Sequence, residues 1–270
     1  MLFHNHLVII RGGGDLATGV AGRLHKAGFP LIVLELARPL VIRRKVALAT
    51  AVLEGEIQIE DLHGRLAATP EAALQMAYTE TIPVLVAPDL STLSLLPSAF
   101  AVIDARIAKR NIDTHINQAP LVIGMGPGFT AGVDCHAVIE TMRGHTLGRV
   151  IWDGPALPNT GTPGIIAGKG AERVLRAPAD GKVKWRLEIG DLVEMNQVIG
   201  DVAGVPILAP FAGVVRGTIA PGTAVTQGMK IGDVDARGSV QACFTISDKA
   251  LAMGGAALEA ILIHLNNQLD

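Results

Sequence analysis

Three consecutive glycines and a downstream carboxylate are the residues of this chain whose types and spacing point most directly to chemistry. Leu7-Val8-Ile9-Ile10, a short β-branched apolar run, leads into Arg11-Gly12-Gly13-Gly14-Asp15-Leu16-Ala17-Thr18-Gly19, and the run Leu31-Ile32-Val33-Leu34 then ends in Glu35. Gly12 stands where a tight turn is needed, Gly14 where backbone must approach a phosphate, and Ala17 where a small side chain lets a helix pack on a strand. The N–H groups from Gly12, Gly13, Gly14 and Asp15, aided by the helix dipole, would hold a pyrophosphate, and Glu35 would accept hydrogen bonds from a ribose. The pattern points to a nucleotide or dinucleotide. A tight strand-to-helix turn without ligand is the alternative.

A second glycine loop repeats this logic. Leu121-Val122-Ile123 runs into Gly124-Met125-Gly126-Pro127-Gly128, and a helical stretch is expected from about Asp134 through Met142. No Gly-Lys-Ser/Thr follows, so this is not a P-loop, yet Gly124, Gly126 and Gly128 would present N–H groups for a second anion contact. A purely structural turn is again the alternative. Cys135 falls near the expected helix start, where a dipole lowers a thiol pKa, although a small buried residue is the plainer reading. His136, Glu140 and His145 lack a conventional metal-ligand spacing, and no metal is expected. Asp104, with Arg106 and Lys109 after it, ends an expected strand; it is either a functional group or a surface salt bridge. Arg43-Arg44-Lys45 reads as a solvated run, with anion binding as the alternative.

The elements that must position these residues follow from periodicity. Leu16, Val20, Leu24 and Ala27 recur at helical spacing from Asp15 to about Lys26, and Gly28 supplies a stop, which makes a βαβ unit with the two flanking strands. A helix is expected over Pro70 to Ala77, capped by Thr69, and further buried strands over Pro83 to Ala87 and Phe100 to Asp104. Residues 1–155 therefore read as a Rossmann-like nucleotide-binding region of α/β class with an inserted hairpin, followed by a linker over 156–172.

The C-terminal part is duplicated. Ala177-Pro178-Ala179-Asp180-Gly181 recurs as Ala209-Pro210-Phe211-Ala212-Gly213, thirty-two positions on, and Ile199-Gly200-Asp201-Val202 recurs without a gap as Ile231-Gly232-Asp233-Val234. A repeat of this kind implies two interlocking halves of one small β-barrel over 173–238, resembling the lipoyl and biotinyl carrier fold. The segment joining the halves, Ala203 to Leu208, has no lysine, so neither lipoate nor biotin is expected. Residues 239–270 read as a strand and a C-terminal helix, whose apolar positions Leu251, Leu258, Ile261, Leu262 and Leu265 pack a core or a homo-oligomer interface.

Composition narrows the classes. In 270 residues the apolar share is 49%, aromatics are 3%, and the formal net charge is −2, which suits a compact α/β protein and gives no electrostatic footprint for nucleic acid. Two distant cysteines form no disulfide framework, and no apolar run reaches the roughly 20 residues of a membrane helix, so a cytoplasmic location is expected.

Nearly the whole chain resembles the accessory protein of the selenium-dependent molybdenum hydroxylase system, a relative of the xanthine dehydrogenase maturation factors. The resemblance is carried by Arg11 to Gly19, by Ile123-Gly124-Met125-Gly126-Pro127-Gly128-Phe129, by Met142-Arg143-Gly144-His145-Thr146-Leu147-Gly148-Arg149-Val150, and by Lys230-Ile231-Gly232-Asp233-Val234-Asp235. It implies a role in maturing a molybdenum hydroxylase, with the apoenzyme as partner and a nucleotide-bearing cofactor such as a molybdopterin dinucleotide as ligand. An NAD(P)-dependent oxidoreductase and a non-catalytic docking scaffold are the competing readings.

Overall fold

The computed structural model describes residues 1–87, 98–161, 164 and 168–268, so the linker expected over 156–172 lies partly outside it. The chain forms two units, one from Met1–Pro39, Ala47–Asn159 and Ile246–Asp270, the other from Leu40–Val46 and Thr160–Thr245.

In the first unit β1 (Val8–Arg11) is buried along its whole length, as four consecutive non-alternating residues require when both sheet faces are covered. Helix α1 (Asp15–Lys26) starts from extended Gly14 and buries Ala17, Val20, Ala21 and Leu24; it stops where Gly28 takes φ +92. Then come β2 (Leu31–Glu35), a short α2 (Ala51–Glu54), the hairpin of β3 (Glu56–Ile59) and β4 (Leu62–Ala67), and α3 (Pro70–Met76), whose first turn is capped by Thr69 accepting from Ala72 N–H. The remaining strands are β5 (Thr81–Val86), β6 (Ala101–Asp104), β7 (Leu121–Met125), β8 (Thr130–Ala131), β9 (Ala137–Ile139), β10 (Val150–Ile151) and β11 (Gly154–Pro155).

Among the described residues nine of these strands form one sheet in the order β10-β9-β7-β6-β1-β2-β5-β4-β3. The inner strands are parallel, but β3 pairs antiparallel with β4 at one edge and β10 antiparallel with β9 at the other, so the sheet is mixed. Register aligns Arg11 with Leu34 and Asp104, and Asp104 with Gly124, which puts the glycine loops at the carboxyl ends of β1 and β7, the strands on either side of β6. The last helix, α4 (Asp248–Asn266), packs along α1. A Cβ on Gly19 would collide with the Ala250 carbonyl and one on Gly254 with the Gly19 carbonyl, so the two backbones touch.

The second unit contains β12 (Val174–Arg176), β13 (Gly181–Trp185), β14 (Leu192–Val193), β15 (Val198–Val202), β16 (Val205–Leu208), β17 (Gly213–Thr218), β18 (Ala224–Val225) and β19 (Lys230–Asp235). They make two four-stranded sheets, β12-β19-β17-β14 and β16-β15-β13-β18, each taking two strands from each half of the duplication. Exchanging the halves converts one order into the other. The buried core obeys the same symmetry, with Val183, Ile199 and Val202 answered by Val215, Ile231 and Val234.

The expected fold class, a Rossmann-like region followed by a small lipoyl-like β-barrel and a C-terminal helix, is corrected by this architecture. The sheet is mixed at both edges, and the helix expected over Asp134 to Met142 is absent: the chain there forms β9 and pairs parallel with β7. Gly132 at φ +83 and the β-branched Val133, Val138, Ile139 and Thr141 explain the strand. The small unit is not closed over 173–238 alone, because it draws in Leu40–Val46 from far upstream. Among the described residues no helix is long and apolar enough to cross a membrane.

Candidate functional site at the carboxyl ends of the parallel strands

β1 and β6 end in opposite charges, Arg11 and Asp104, each buried to within 3% of full cover. Burying such charges is tolerable only where they are paired and hydrogen-bonded. Arg11 donates from Nη2 to both carboxylate oxygens of Asp113 (2.8 and 2.9 Å) and from Nη1 to Thr114 Oγ1 (2.9 Å). Arg106 spans Asp104 (Nη2 to Oδ2, 2.5 Å) and Asp113 (Nη2 to Oδ1, 2.7 Å), and Thr114 Oγ1 donates to Asp104 Oδ2 (2.6 Å). Two arginines and two aspartates thus fasten the loop 105–114 onto the strand ends. Burial alone would raise the Asp113 carboxyl, but its bonds from Arg106 and Arg11 hold it below the usual range.

That loop crosses both glycine segments. A Cβ on Gly12 (φ +91) would lie 3.0 Å from Arg106 Cα, and one on Gly128 (φ +109) 2.5 Å from Arg110 Cα. Asn111 adds a bond from Nδ2 to Asp134 Oδ1 (3.0 Å), while Asp134 Oδ2 accepts from Thr130 N–H (2.8 Å). Gly13 is approached from the other side: a Cβ there would lie 2.8 Å from Ala49 N, and the two residues share a backbone bond, Ala49 N–H to Gly13 O (2.8 Å). Gly124 is overlaid by the Phe129 ring, and a Cβ on Gly126 would meet Thr141 Oγ1 at 2.5 Å. The five glycines are small because the chain itself lies against them.

Glu35 has a partner other than a ribose. Its Oε2 accepts from Gly13 N–H (2.8 Å) and its Oε1 from Leu36 N–H (2.7 Å), so the carboxylate anchors the loop and takes up one of the donors expected to face a phosphate. Ala17 is fully buried against the sheet, as its small size predicts. Gly14 is the N-cap of α1 and supplies no side chain to it; Asp15 is the first helical residue.

Positive charge gathers at this helix start from a residue that spacing could not reveal. Lys249, at the beginning of α4, is partly buried and lies in the field of Lys109, Arg143, Asp15 and Glu140. Its ammonium is held below the ordinary lysine value by burial, then by repulsion from Lys109 and Arg143, against the pull of Asp15 and Glu140. Desolvation lowers Lys109 likewise, with Glu140 opposing. Glu140 is 2% exposed and accepts from Met142 N–H (2.6 Å) and Leu157 N–H (2.8 Å); Arg143 forms a bidentate pair with Asp248 (2.8 and 2.9 Å). The arrangement sets Lys249 in the first turn of α4 within the field of Lys109 and of Asp15 at the start of α1, a setting that favours an anion.

The other candidates disperse. Cys135 is fully buried, and burial pushes its thiol up to about 11, the reverse of a reactive thiolate. His136 Nδ1 accepts from Val122 N–H (2.9 Å). Among the described residues no group of three His, Cys, Asp or Glu is placed to hold a metal ion.

No family model matches the chain. It is 48% identical over 259 residues to the uncharacterized protein YqeB of Escherichia coli (strain K12), an alignment that takes in 96% of this chain and 48% of that protein. The chain therefore spans about half the length of this relative. Similar solved structures include a succinylglutamate desuccinylase/aspartoacylase from Rhodobacter sphaeroides (16% identity, TM-score 0.26) and an aspartoacylase family protein from Mesorhizobium loti (14%, 0.26), each covering 85% of this chain and 84% of the other. The ectoine utilization protein EutE (DoeB) from Ruegeria pomeroyi follows at 11% and 0.23, covering 84% of this chain and 57% of that one. TM-scores of this size carry no argument, and the corrected fold class rests on the sheet itself.

Proposed function

We propose that the first unit binds an anionic, phosphate-bearing ligand between the start of α1 and the Lys109–Lys249 pair, and that the protein serves as an accessory factor for a selenium-dependent molybdenum hydroxylase. The observation that carries the ligand is the partly buried Lys249 in the first turn of α4, within the field of Lys109 and of Asp15 in the first turn of α1. Burial disfavours the ammonium form of both lysines, and an anion bound beside them would offset that cost. Three of the four segments that carry the family resemblance, Arg11 to Gly19, Ile123 to Phe129 and Met142 to Val150, lie in this unit.

A nucleotide or molybdopterin dinucleotide fits the cationic end of this site better than the glycine loops themselves. Gly13 N–H is already bonded to Glu35, and the chain lies against Gly12, Gly13, Gly126 and Gly128. Lys109 and Lys249 would hold its phosphates, with the first turn of α1 behind them. The same crowding favours a second reading, a docking scaffold whose glycine loops serve packing alone. Under the accessory reading the partner is the hydroxylase apoenzyme and the location is cytoplasmic, where two free cysteines persist.

Native mass spectrometry with ATP, CTP, NAD(H), NADP(H) and a molybdopterin dinucleotide extract decides between them. Retention of a nucleotide-bearing ligand, weakened at least tenfold in Lys109→Ala/Lys249→Ala, is the expected result. Retention undiminished in that variant overturns the assigned site, and no retention of any of them leaves the scaffold.

A further inference from the structure

The duplication of the second unit supplies an internal control, and one position departs from it. Lys184 on β13 stands cross-strand from Asp201 on β15 in regular register. Its counterpart thirty-two residues on is Arg216 on β17, opposite β19, but here the register slips between Val215 and Gly217 and Arg216 is the extra residue. A bulge of this kind re-aims a side chain. Lys184 is exposed, whereas Arg216 is only 7% exposed.

The residues around Arg216 have diverged as well. Where the first half has Ala203 and Val205, both exposed, the second has Asp235, 3% exposed, and Arg237. Asp235 is consumed by Arg237, which donates from Nε (3.0 Å to Oδ1), from Nη2 (2.6 Å to Oδ2) and from its own N–H (3.0 Å). Asp233 is consumed by Arg173, whose Nη1 reaches both oxygens at 2.6 and 2.5 Å. Arg216 is left with a loose 3.4 Å ion pair to Asp235, and its buried Nε has no hydrogen-bond partner. Arg43, held to the Ala242 carbonyl at 3.1 Å, and Arg237 add positive potential at the same guanidinium. The first half pairs its strands with no such buried charge, so sheet pairing alone does not call for it.

Buried guanidinium donors are ordinarily satisfied, so the unbonded buried Nε of Arg216 is a place for an acceptor. From this geometry we infer that Arg216, with Arg43 and Arg237, forms a binding site for a tetrahedral oxyanion, a phosphate group. Asp233 and Asp235 are already engaged by Arg173 and Arg237, so the buried Arg216 guanidinium would take its acceptor from a phosphate oxygen. The half-exposed Arg237 marks the side from which it enters. Asp233 and Asp235 belong to Lys230-Ile231-Gly232-Asp233-Val234-Asp235, the family segment that the first unit's ligand site does not use. This site lies wholly in the second unit and does not depend on the reading of Lys109 and Lys249.

The test is a ³¹P NMR and calorimetric titration of the full chain with inorganic phosphate at constant ionic strength, with chloride as the control salt. Saturable binding is expected, weakened at least tenfold in Arg216→Met, weakened less in Arg237→Ala, and unchanged in Lys184→Met, the corresponding position of the other half. Persistence of the binding in Lys109→Ala/Lys249→Ala separates it from the first unit. Cytidine monophosphate in parallel distinguishes a carried phosphate, which binds more tightly than inorganic phosphate, from a free one. Absence of saturable phosphate and nucleotide binding by the unaltered protein overturns the inference, whether or not Arg216→Met folds, and so does undiminished binding in a folded Arg216→Met.

Discussion

The two glycine loops begin alike and end differently. After Gly14 the chain winds into twelve residues of helix; after Gly128 it turns back, lays Phe129 over Gly124 and enters strands. What separates them is the sequence that follows the glycines. Ala17, Val20, Ala21 and Leu24 offer one apolar face at helical spacing, whereas Gly132 and a β-branched run oppose a helix. Both loops nevertheless need glycine for one shared reason, the close approach of the chain's own backbone. A glycine-rich turn at a strand end is therefore evidence of a close neighbour before it is evidence of a phosphate.

The sharpest way to break this comparison is to add one methyl group to each loop. Gly128→Ala meets the Arg110 backbone at 2.5 Å and also holds φ +109. Left-handed strain of roughly 1–2 kcal/mol and overpacking of roughly 1–3 kcal/mol combine to a loss of about 3 kcal/mol. Gly13→Ala meets Ala49 N at 2.8 Å without positive φ and should lose about 2 kcal/mol from overpacking alone. Gly132→Ala, with φ +83 and open space, isolates the conformational cost at about 1 kcal/mol. Urea midpoints in that order are expected; equal losses at 13 and 132 would show that crowding is not what fixes glycine in the first loop.

The elements behind these effects are unequally legible in the chain. Strands β1, β2, β6 and β7 are legible as apolar runs, and α1 and α4 from their periodicity, because burial on a regular element writes a regular pattern. The loop over 105–114 leaves no such mark. Its contacts join Arg11 to Asp113 and Thr114 across about a hundred residues, and polar residues in an irregular stretch carry no period. Lys249 is hidden for the same reason, reaching the start of α1 from the far end of the chain. Glu35 was visible as an acid ending a strand, but its partner, Gly13 N–H, is set by tertiary approach rather than spacing.

Glu35 offers a smaller, sharper contrast, since the second loop has no equivalent carboxylate on Gly126 N–H, which bonds the Ile139 carbonyl instead. Glu35→Ala removes two acceptors at once, at 2.7 and 2.8 Å. Hydrogen bonds to charged groups contribute roughly 1.5–3 kcal/mol, and partial exposure places this change at the lower end, about 1.5 kcal/mol. Hydrogen exchange should show the gain in mobility at Gly13 and Gly14 and leave Gly126 to Gly128 protected. Equal loss of protection in both loops would mean that they open as one unit.

The smallest expected effect concerns the loop that joins the two. Asp113 accepts from Arg11 and Arg106, and its carboxyl is held below the usual aspartate value in the folded chain. A depressed folded pKa stabilises above the unfolded value, about 3.9, and that contribution disappears as pH falls from there through the folded pKa. The partial exposure of Asp113 keeps it modest. Asp113→Asn should therefore be less stable than the unaltered chain at pH 6, with the gap narrowing as the pH falls below about 4 and the unaltered carboxylate takes up its proton. Because Arg106 lies against Gly12 and Arg110 against Gly128, acid should loosen both glycine loops together in the unaltered chain. Exchange protection at Gly12 and Gly128 that falls in parallel as the pH drops below about 4 is the outcome to look for. A fall at Gly12 alone would confine the ion network to the first loop and leave the second held by Asn111 and Asp134.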